Sequence, residues 1–256
     1  MNRKLYRRFA DVYDAMGADR FSIEMAEYTV SLTHRFDIAV EDALDLCCGT
    51  GSALAFFSRR KWRLAGVDQS PDMLRLARKK LAGTGTRLYR RHLPTFSIPL
   101  PNDTRRGRGF DLVTSFYDSL NYLLTKSDLK TAFVSVHAHL RPGGWFIFDM
   151  NTPKALTVLW DGHVYADARD DLAWVWKNSY DERTQSADCE ATFFVRKGRL
   201  WDRFTEVHTE RAYPNSIIRK LLREAGFIVR AIYRCRTFEK PTRDCYRICV
   251  VARKKR

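Results

Sequence analysis

Between residue 43 and about residue 150, five short apolar runs alternate with segments of helical periodicity, and this alternation leaves few folds open. The runs fall at 43–47, 63–67, 87–91, 111–116 and 145–150. Strands separated by helices pair in parallel through crossovers, and a parallel sheet is covered on both faces. The intervening helices carry clear punctuation. Ser70-Pro71-Asp72 offers an N-cap, a proline at the first helical position and an acid in the first turn. Met73, Leu74, Ala77 and Leu81 then supply a buried stripe. Leu129, Phe133, Val136 and Leu140 mark a later helix that stops at Arg141-Pro142-Gly143-Gly144.

Two regions depart from this rhythm. Residues 1–34 read as two helices, with Leu5, Phe9, Val12 and Met16 on one stripe and Ile23, Ala26 and Val30 on the next. Residues 155–213 read as extended segments at 173–180, 187–196 and 200–213, rich in Trp, Tyr, Phe, Val and Thr, with Gly198 as a hairpin signal. A helix at 216–225 ended by Gly226, and strands at 227–233 and 246–252, then resume the first pattern. The expected fold is α/β: a doubly wound, mostly parallel sheet from residues 1–154 and 214–256, with N-terminal lid helices. The segment 155–213 is expected to form an antiparallel β insertion that caps the active cleft on the substrate side.

Composition narrows the function classes. Hydrophobic residues make up 45% of the 256 and aromatics 13%, enough for a real core. No apolar run reaches 18 residues, and Met1-Asn2-Arg3-Lys4-Leu5-Tyr6-Arg7-Arg8 lacks the apolar stretch of a secretory signal, so the expected location is the cytoplasm, with no membrane contact. Cys47 and Cys48 are adjacent and Cys189, Cys235, Cys245 and Cys249 show no C-x-x-C spacing; reduced thiols and no metal centre are expected. The net charge of +15 comes from short scattered clusters: Arg59-Arg60-Lys61, Arg78-Lys79-Lys80, Arg105-Arg106 and Arg253-Lys254-Lys255-Arg256. Charge spread over solvated helix faces accounts for it; a nucleic-acid partner is the weaker alternative.

The motif that carries chemistry is Leu44-Asp45-Leu46-Cys47-Cys48-Gly49-Thr50-Gly51, which closes a strand and opens a helix. Glycines there let a ligand approach the backbone and the N–H groups of the helix start. A dinucleotide fingerprint needs a third glycine, but position 54 is Leu. Asp45 lies inside the motif, and Asp68, 23 residues on, ends the next strand, where a carboxylate can accept both hydroxyls of an adenosine ribose.

These residues, with Gly66-Val67-Asp68-Gln69-Ser70-Pro71-Asp72-Met73-Leu74, Phe110-Asp111-Leu112-Val113 and Leu140-Arg141-Pro142-Gly143-Gly144, resemble the class I S-adenosylmethionine-dependent methyltransferases over nearly the whole chain. The resemblance implies a Rossmann-like sheet, S-adenosylmethionine as cofactor and S-adenosylhomocysteine as product. It implies that Asp45, Gly49 and Gly51 line the methionine end, that Asp68 holds the ribose, and that Gln69 and Met73 flank the adenine. Cys47, Leu93 and Phe116 join that set. Where the family often has an acid near the adenine amino group, this chain has Arg90-Arg91-His92-Leu93, and His92 stands either as a neutral acceptor there or as a surface residue.

Methyl transfer needs an in-line approach in a dry site, and positioning supplies most of that. The stretch Ser115-Phe116-Tyr117-Asp118-Ser119-Leu120-Asn121-Tyr122 is neither the Asn/Asp-Pro-Pro-aromatic sequence of many nucleobase enzymes nor a Pro-Cys pair. It resembles small-molecule methyltransferases, including the N-methyltransferases of antibiotic aminosugars, as does Phe9-Ala10-Asp11-Val12-Tyr13-Asp14, in which Tyr13 would close over the cofactor. Tyr117 and Asp118 are expected at the floor of the acceptor site, as catalytic residues. Phe204, Glu206 and His208 alternate on one strand face, which reads as an acceptor stripe or a solvated sheet face, with His208 the candidate base and Trp174, Trp176 and Trp201 candidate walls. The expected activity is methyl transfer to nitrogen or oxygen of a small-molecule acceptor. A methyltransferase of structured RNA and a non-catalytic cofactor-binding module remain alternatives, and monomer and homodimer are both open.

Overall fold

A computed structural model describes residues 5–104 and 107–255; Met1–Lys4, the Arg105-Arg106 cluster and Arg256 lie outside the described residues. In chain order the elements are α1 Phe9–Tyr13, α2 Arg20–Arg35, β1 Asp42–Leu46, α3 Ser52–Phe57, β2 Arg63–Asp68, α4 Pro71–Lys80 and β3 Arg87–Arg90. A two-residue pair follows, β4 Asn102–Asp103 and β5 Gly107–Arg108, then β6 Phe110–Ser115, α5 Lys126–His139 and β7 Leu140–Asn151. The short α6 Pro153–Ala155 leads to β8 Val164–Arg169, β9 Leu172–Asp181, β10 Ser186–Lys197 and β11 Leu200–Arg211. The chain ends in α7 Asn215–Glu224, β12 Phe227–Arg234 and β13 Arg247–Lys254.

The main sheet has seven strands in the order β12-β13-β7-β6-β1-β2-β3. β13 runs antiparallel to both of its neighbours, and the remaining pairs are parallel. Every residue of β1 and β6 is buried, as the near-continuous apolar runs require of strands covered on both faces. Alternate side chains go to opposite layers. Leu44, Leu46, Val113, Phe146 and Phe148 pack with Leu129 and Phe133 of α5 and Ile218 and Leu222 of α7. Ala43, Leu112 and Ile147 pack with Met25 and Leu32 of α2, Leu54 of α3 and Leu74 of α4. From β1 the chain winds outward through β2 and β3, then returns to place β6 on the other side of β1. Such a reversal opens a crevice at the carboxyl ends of the two strands.

Residues 164–211 form a separate antiparallel sheet, β11-β10-β9-β8. Gly198-Arg199 makes its tight turn, with Lys197 opposite Leu200 and Gly198 at φ +65°. The strand β8 was absent from the sequence expectation, and its burial explains why: all six residues are exposed, so no alternation marks it. The Arg141–Gly144 stretch also differs from expectation. α5 stops at His139 and β7 begins at Leu140, which pairs with Phe110 before a register shift carries the strand past the glycines. α1 docks on the second sheet, Phe9 lying 4.7 Å from Phe193 between ring centroids. No helix among the described residues is long and apolar enough to cross a membrane.

Arg141 clamps the amino-terminal side of the main sheet. Its Nη2 lies 2.8 Å from Asp42 Oδ2 and its Nη1 2.9 Å from Asp111 Oδ1, with all three residues buried, and its Nε donates to Gly109 O at 2.9 Å. Burial alone would raise the Asp42 carboxyl; the Arg63 and Arg141 guanidinium groups outweigh it and hold the group below its ordinary value. Removing one partner of a buried pair strands the other, so Arg141→Met should lower stability by about 3–5 kcal/mol in urea unfolding at neutral pH. A depressed carboxyl stabilises above its unfolded value and loses that contribution as pH falls through its folded one. The gap between wild type and variant should therefore narrow below the ordinary carboxylate range; a gap constant with pH would contradict the clamp.

Candidate active site

β1 delivers the chain into a turn with three left-handed residues, Cys47 at φ +60°, Gly49 at +53° and Gly51 at +81°. The two glycines serve different ends. A Cβ on Gly51 would sit 2.9 Å from Leu81 Cδ1 and 3.2 Å from Ala77 Cβ, so Gly51 lets the turn pack on α4. A Cβ on Gly49 would meet nothing within 4 Å, and Gly49 borders the open crevice. Asp68 fixes this turn: its Oδ2 accepts from Gly49 N at 2.9 Å and its Oδ1 from Ser70 N at 2.8 Å. Burial pushes its carboxyl up, while the backbone N–H bonds pull the other way. Ser70 Oγ in turn accepts from Met73 N at 3.2 Å, the N-cap expected for α4.

The cleft brings together Tyr13, Cys47, Gly49, Asp68, Gln69, Met73, Leu93 and Phe116 from the expected cofactor set. Asp45, Gly51 and His92 are not among its lining residues. Asp45 is buried beneath the turn and accepts from Thr114 Oγ1 at 2.7 Å; burial raises its carboxyl to about 7, Thr114 opposes this, and the nearby Asp68 charge adds to it. His92 Nδ1 lies 3.4 Å from Oε1 of the lining residue Gln69. Tyr6 and Ser22 line the cleft without a sequence signal, and Arg91, Ser119 and Tyr122 line it from stretches in which they were not singled out.

The N-terminal segment covers this cleft, tied down at both ends. Glu206 of β11 accepts from the backbone N–H groups of Tyr6 (2.7 Å), Arg8 (3.2 Å) and Phe9 (3.1 Å), and so caps α1 from across the molecule. Glu206 is thereby engaged in fastening the lid rather than in an acceptor stripe. Beyond α1, Asp14 Oδ1 accepts from Thr50 Oγ1 at 2.7 Å and its Oδ2 pairs with Lys80 at 2.7 Å, while Ser52 Oγ donates to Asp19 at 2.9 Å.

A second cavity of about 430 Å³ opens between the main sheet and the β8–β11 sheet. It meets the first at Tyr6, Tyr13, Tyr117 and Tyr122, which border both. Trp160, Trp174 and Trp176 give it aromatic walls. Trp201, expected as a wall, is 48% exposed on the outside of the sheet. His208 faces the cavity as expected, buried at 4% exposure. Its Nδ1 lies 2.9 Å from Tyr122 Oη, which lies 2.8 Å from Tyr6 Oη, and its Nε2 has no hydrogen-bond partner. Burial depresses its pKa to about 4. A base that weak is poorly matched to neutral pH, so His208 serves better as a hydrogen-bonding group than as a proton acceptor.

The floor is the turn after β6. Tyr117 (φ +57°) and Asp118 (φ +51°) are consecutive left-handed residues without being glycine, each an arrangement costing on the order of 1–3 kcal/mol. Asp149 holds them, accepting from Tyr117 N at 2.6 Å and Asp118 N at 3.1 Å. Arg247 bridges Asp149 (2.5 Å) and Asp118 (2.6 Å). Asn151 Nδ2 donates to Asp118 Oδ2 at 2.8 Å and to Glu210 Oε2 at 2.9 Å. Glu210, buried and lining the cavity, escaped the sequence reading although it stands on the same strand face as Glu206 and His208, one step further on.

A crevice at a strand-order reversal, with a glycine cradle and a backbone-fixed carboxylate at its lip, suits a nucleoside ligand. The sequence profile of a methyltransferase domain family matches residues 43–144. The chain is 32% identical over 211 residues, 78% of its length and 81% of the relative's, to a dTDP-3-amino-3,4,6-trideoxy-α-D-glucopyranose N,N-dimethyltransferase of Streptomyces venezuelae. It is 28% identical to a crystal structure of an S-adenosylmethionine-dependent methyltransferase from Clostridium acetobutylicum, with a TM-score of 0.85 over 98% of this chain and 99% of that one. The crystal structure of Streptomyces venezuelae DesVI is 26% identical, with a TM-score of 0.74 over 94% and 97% of the two chains. The chain belongs to the S-adenosylmethionine-dependent methyltransferases, with the Rossmann-like fold of class I. It is an enzyme, and S-adenosylmethionine is its cofactor.

The buried imidazole gives a direct check on the site. Because burial favours its neutral form, His208 should stay uncharged from about pH 5.5 upward, its midpoint well below the ordinary value near 6.5. NMR titration of the ring resonances should place that midpoint near 4; a midpoint at 6 or above would mean that the cavity wall is wet.

Proposed function

We propose that the enzyme transfers a methyl group to the nitrogen of a compact small-molecule amine of aminosugar size. The observation that carries this reading is the aromatic-walled cavity of about 430 Å³ that meets the cofactor cleft at four tyrosines, a volume within the range of small-molecule sites. The Streptomyces relative, by its name an aminosugar N,N-dimethyltransferase, supports it. When bound, S-adenosylmethionine supplies an electrophilic sulfonium methyl. Asp68 would accept the ribose hydroxyls, Cys47 and Gly49 would border the methionine end, and Gln69 and Met73 would flank the adenine. The Tyr117–Asp118 turn would form the floor between cofactor and acceptor, while the tied-down N-terminal segment with Tyr13 excludes water. Bringing the reactants into one dry compartment is most of what this reaction needs.

Two measurements test the reading. A carboxylate making charge-assisted hydrogen bonds contributes on the order of 1.5–3 kcal/mol for each, so Asp68→Ala should weaken S-adenosylhomocysteine binding at least about tenfold in titration calorimetry. Unchanged affinity in the folded variant would remove Asp68 from the ribose site. Incubation with S-adenosylmethionine and a panel of aminosugars should yield products heavier by one methylene, read by mass spectrometry. Turnover on structured RNA and on none of the amines would overturn the small-molecule assignment.

A further inference from the structure

In and behind the wall of the acceptor cavity, buried acids outnumber the cations found there among the described residues. Asp118, Asp149 and Glu210 are 9%, 0% and 2% exposed, and the guanidinium set among them is that of Arg247, whose two Nη groups go to Asp149 and Asp118. Asn151 spends its amide on Asp118 Oδ2 and Glu210 Oε2. No hydrogen bond among the described residues reaches Glu210 Oε1, and no lysine or arginine is among the residues lining the cavity. The other titratable groups around this wall are Tyr117, beside Asp118; Tyr122, on the turn that follows it; Tyr6 and Tyr13, on the N-terminal segment; Tyr165, on β8; His208, on the same strand, with Glu206 3.8 Å from its Nε2; and Cys189, on β10. None of these carries positive charge in the neutral range.

His208, 4% exposed, lines the same cavity; its Nε2 makes no hydrogen bond and lies 3.8 Å from Glu206 Oε2, a loose contact for a buried polar atom. The aromatic walls around it suit a cation, which ring faces attract.

We propose that Glu210, with Asp118 beside it, is the charge partner of a cationic amine in this cavity and that Glu210 takes the proton from the acceptor nitrogen. The inference rests on the amine reading above. An amine reaches the enzyme from water as its ammonium ion and must lose a proton to expose the lone pair. One N–H bond breaks and one O–H bond forms on Glu210, leaving a neutral amine beside a neutral carboxylic acid. An ordinary carboxylate is too weak a base for this. Burial, and then the Asp118 charge, push the Glu210 carboxyl far up and fit it to the task. The same burial favours the neutral acid while the cavity is empty, so arrival of an ammonium ion is expected to expel a proton to solvent.

The test uses cyclohexylamine and cyclohexanol, which differ in charge more than in shape. The whole enzyme, loaded with S-adenosylhomocysteine, is titrated with each near pH 7.5, read by the fluorescence of Trp160, Trp174 and Trp176 and by calorimetry in buffers of different ionisation enthalpy. The wild type should prefer the amine by about tenfold or more, a ratio typical of one charge-assisted contact, and release about one proton per amine bound. Glu210→Gln should lose both the preference and the proton release while binding cyclohexanol as before, which shows that the cavity is intact. Equal binding of amine and alcohol by the wild type, or proton release that persists in the variant, would overturn the proposal. Amine binding that depends on Glu210, in an enzyme that methylates no amine, would sustain the charge partner and refute the N-methylation reading.

Discussion

Tyr117 and Asp118 hold left-handed backbone at the end of β6 because Asp149 and Arg247 keep them there, and both halves of the site depend on that turn. Tyr117 borders the cofactor cleft and the acceptor cavity alike, while Asp118 faces the acceptor cavity alone. The strain is held by groups from two neighbouring strands, Asp149 on β7 and Arg247 on β13, which pair directly in the sheet. β13, the strand that runs against the parallel grain, therefore supplies the cation that a turn two strands away requires.

The interior charge of the site is opposite in sign to that of the whole chain. A net charge of +15 gives no hint of a cavity walled by aromatic rings and carboxyl groups. Several of the basic residues have local structural partners. Lys254 donates to the carbonyls of His137 and Leu140 at the end of α5, at 2.7 Å each, where a cation complements exposed carbonyl groups. Lys80 pairs with Asp14 of the covering segment, and Arg141 clamps the start of β1. Net charge is thus a poor guide to what this protein binds.

What could be read from the sequence follows from how local each feature is. Gly49, Asp68, Gln69 and Met73 stand in one β-turn-helix-strand stretch, so spacing alone brings them to one cleft. Glu206 fastens the N-terminal segment across some 200 residues of chain, and Arg247 reaches Asp118 across 129, distances at which no sequence pattern operates. Glu210 was within reach: the Glu206–His208 alternation extends to it, and a carboxylate pointing inward from a half-buried strand is a stronger signal than the histidine before it. Asp45 shows the converse, since its place in the motif suggested ligand contact while the structure buries it against Thr114 as a support for the turn.

The Tyr117–Asp118 turn is proposed to join the cofactor cleft to an amine site. The most direct test is a crystal structure with S-adenosylhomocysteine and cyclohexylamine bound together. The amine nitrogen is expected at Glu210, on the tyrosine side of the cavity, its lone pair directed at the sulfur from within about 3–4 Å of the space a transferable methyl would fill. An amine seated elsewhere, with Glu210 out of contact and the tyrosines between it and the sulfur, would contradict it.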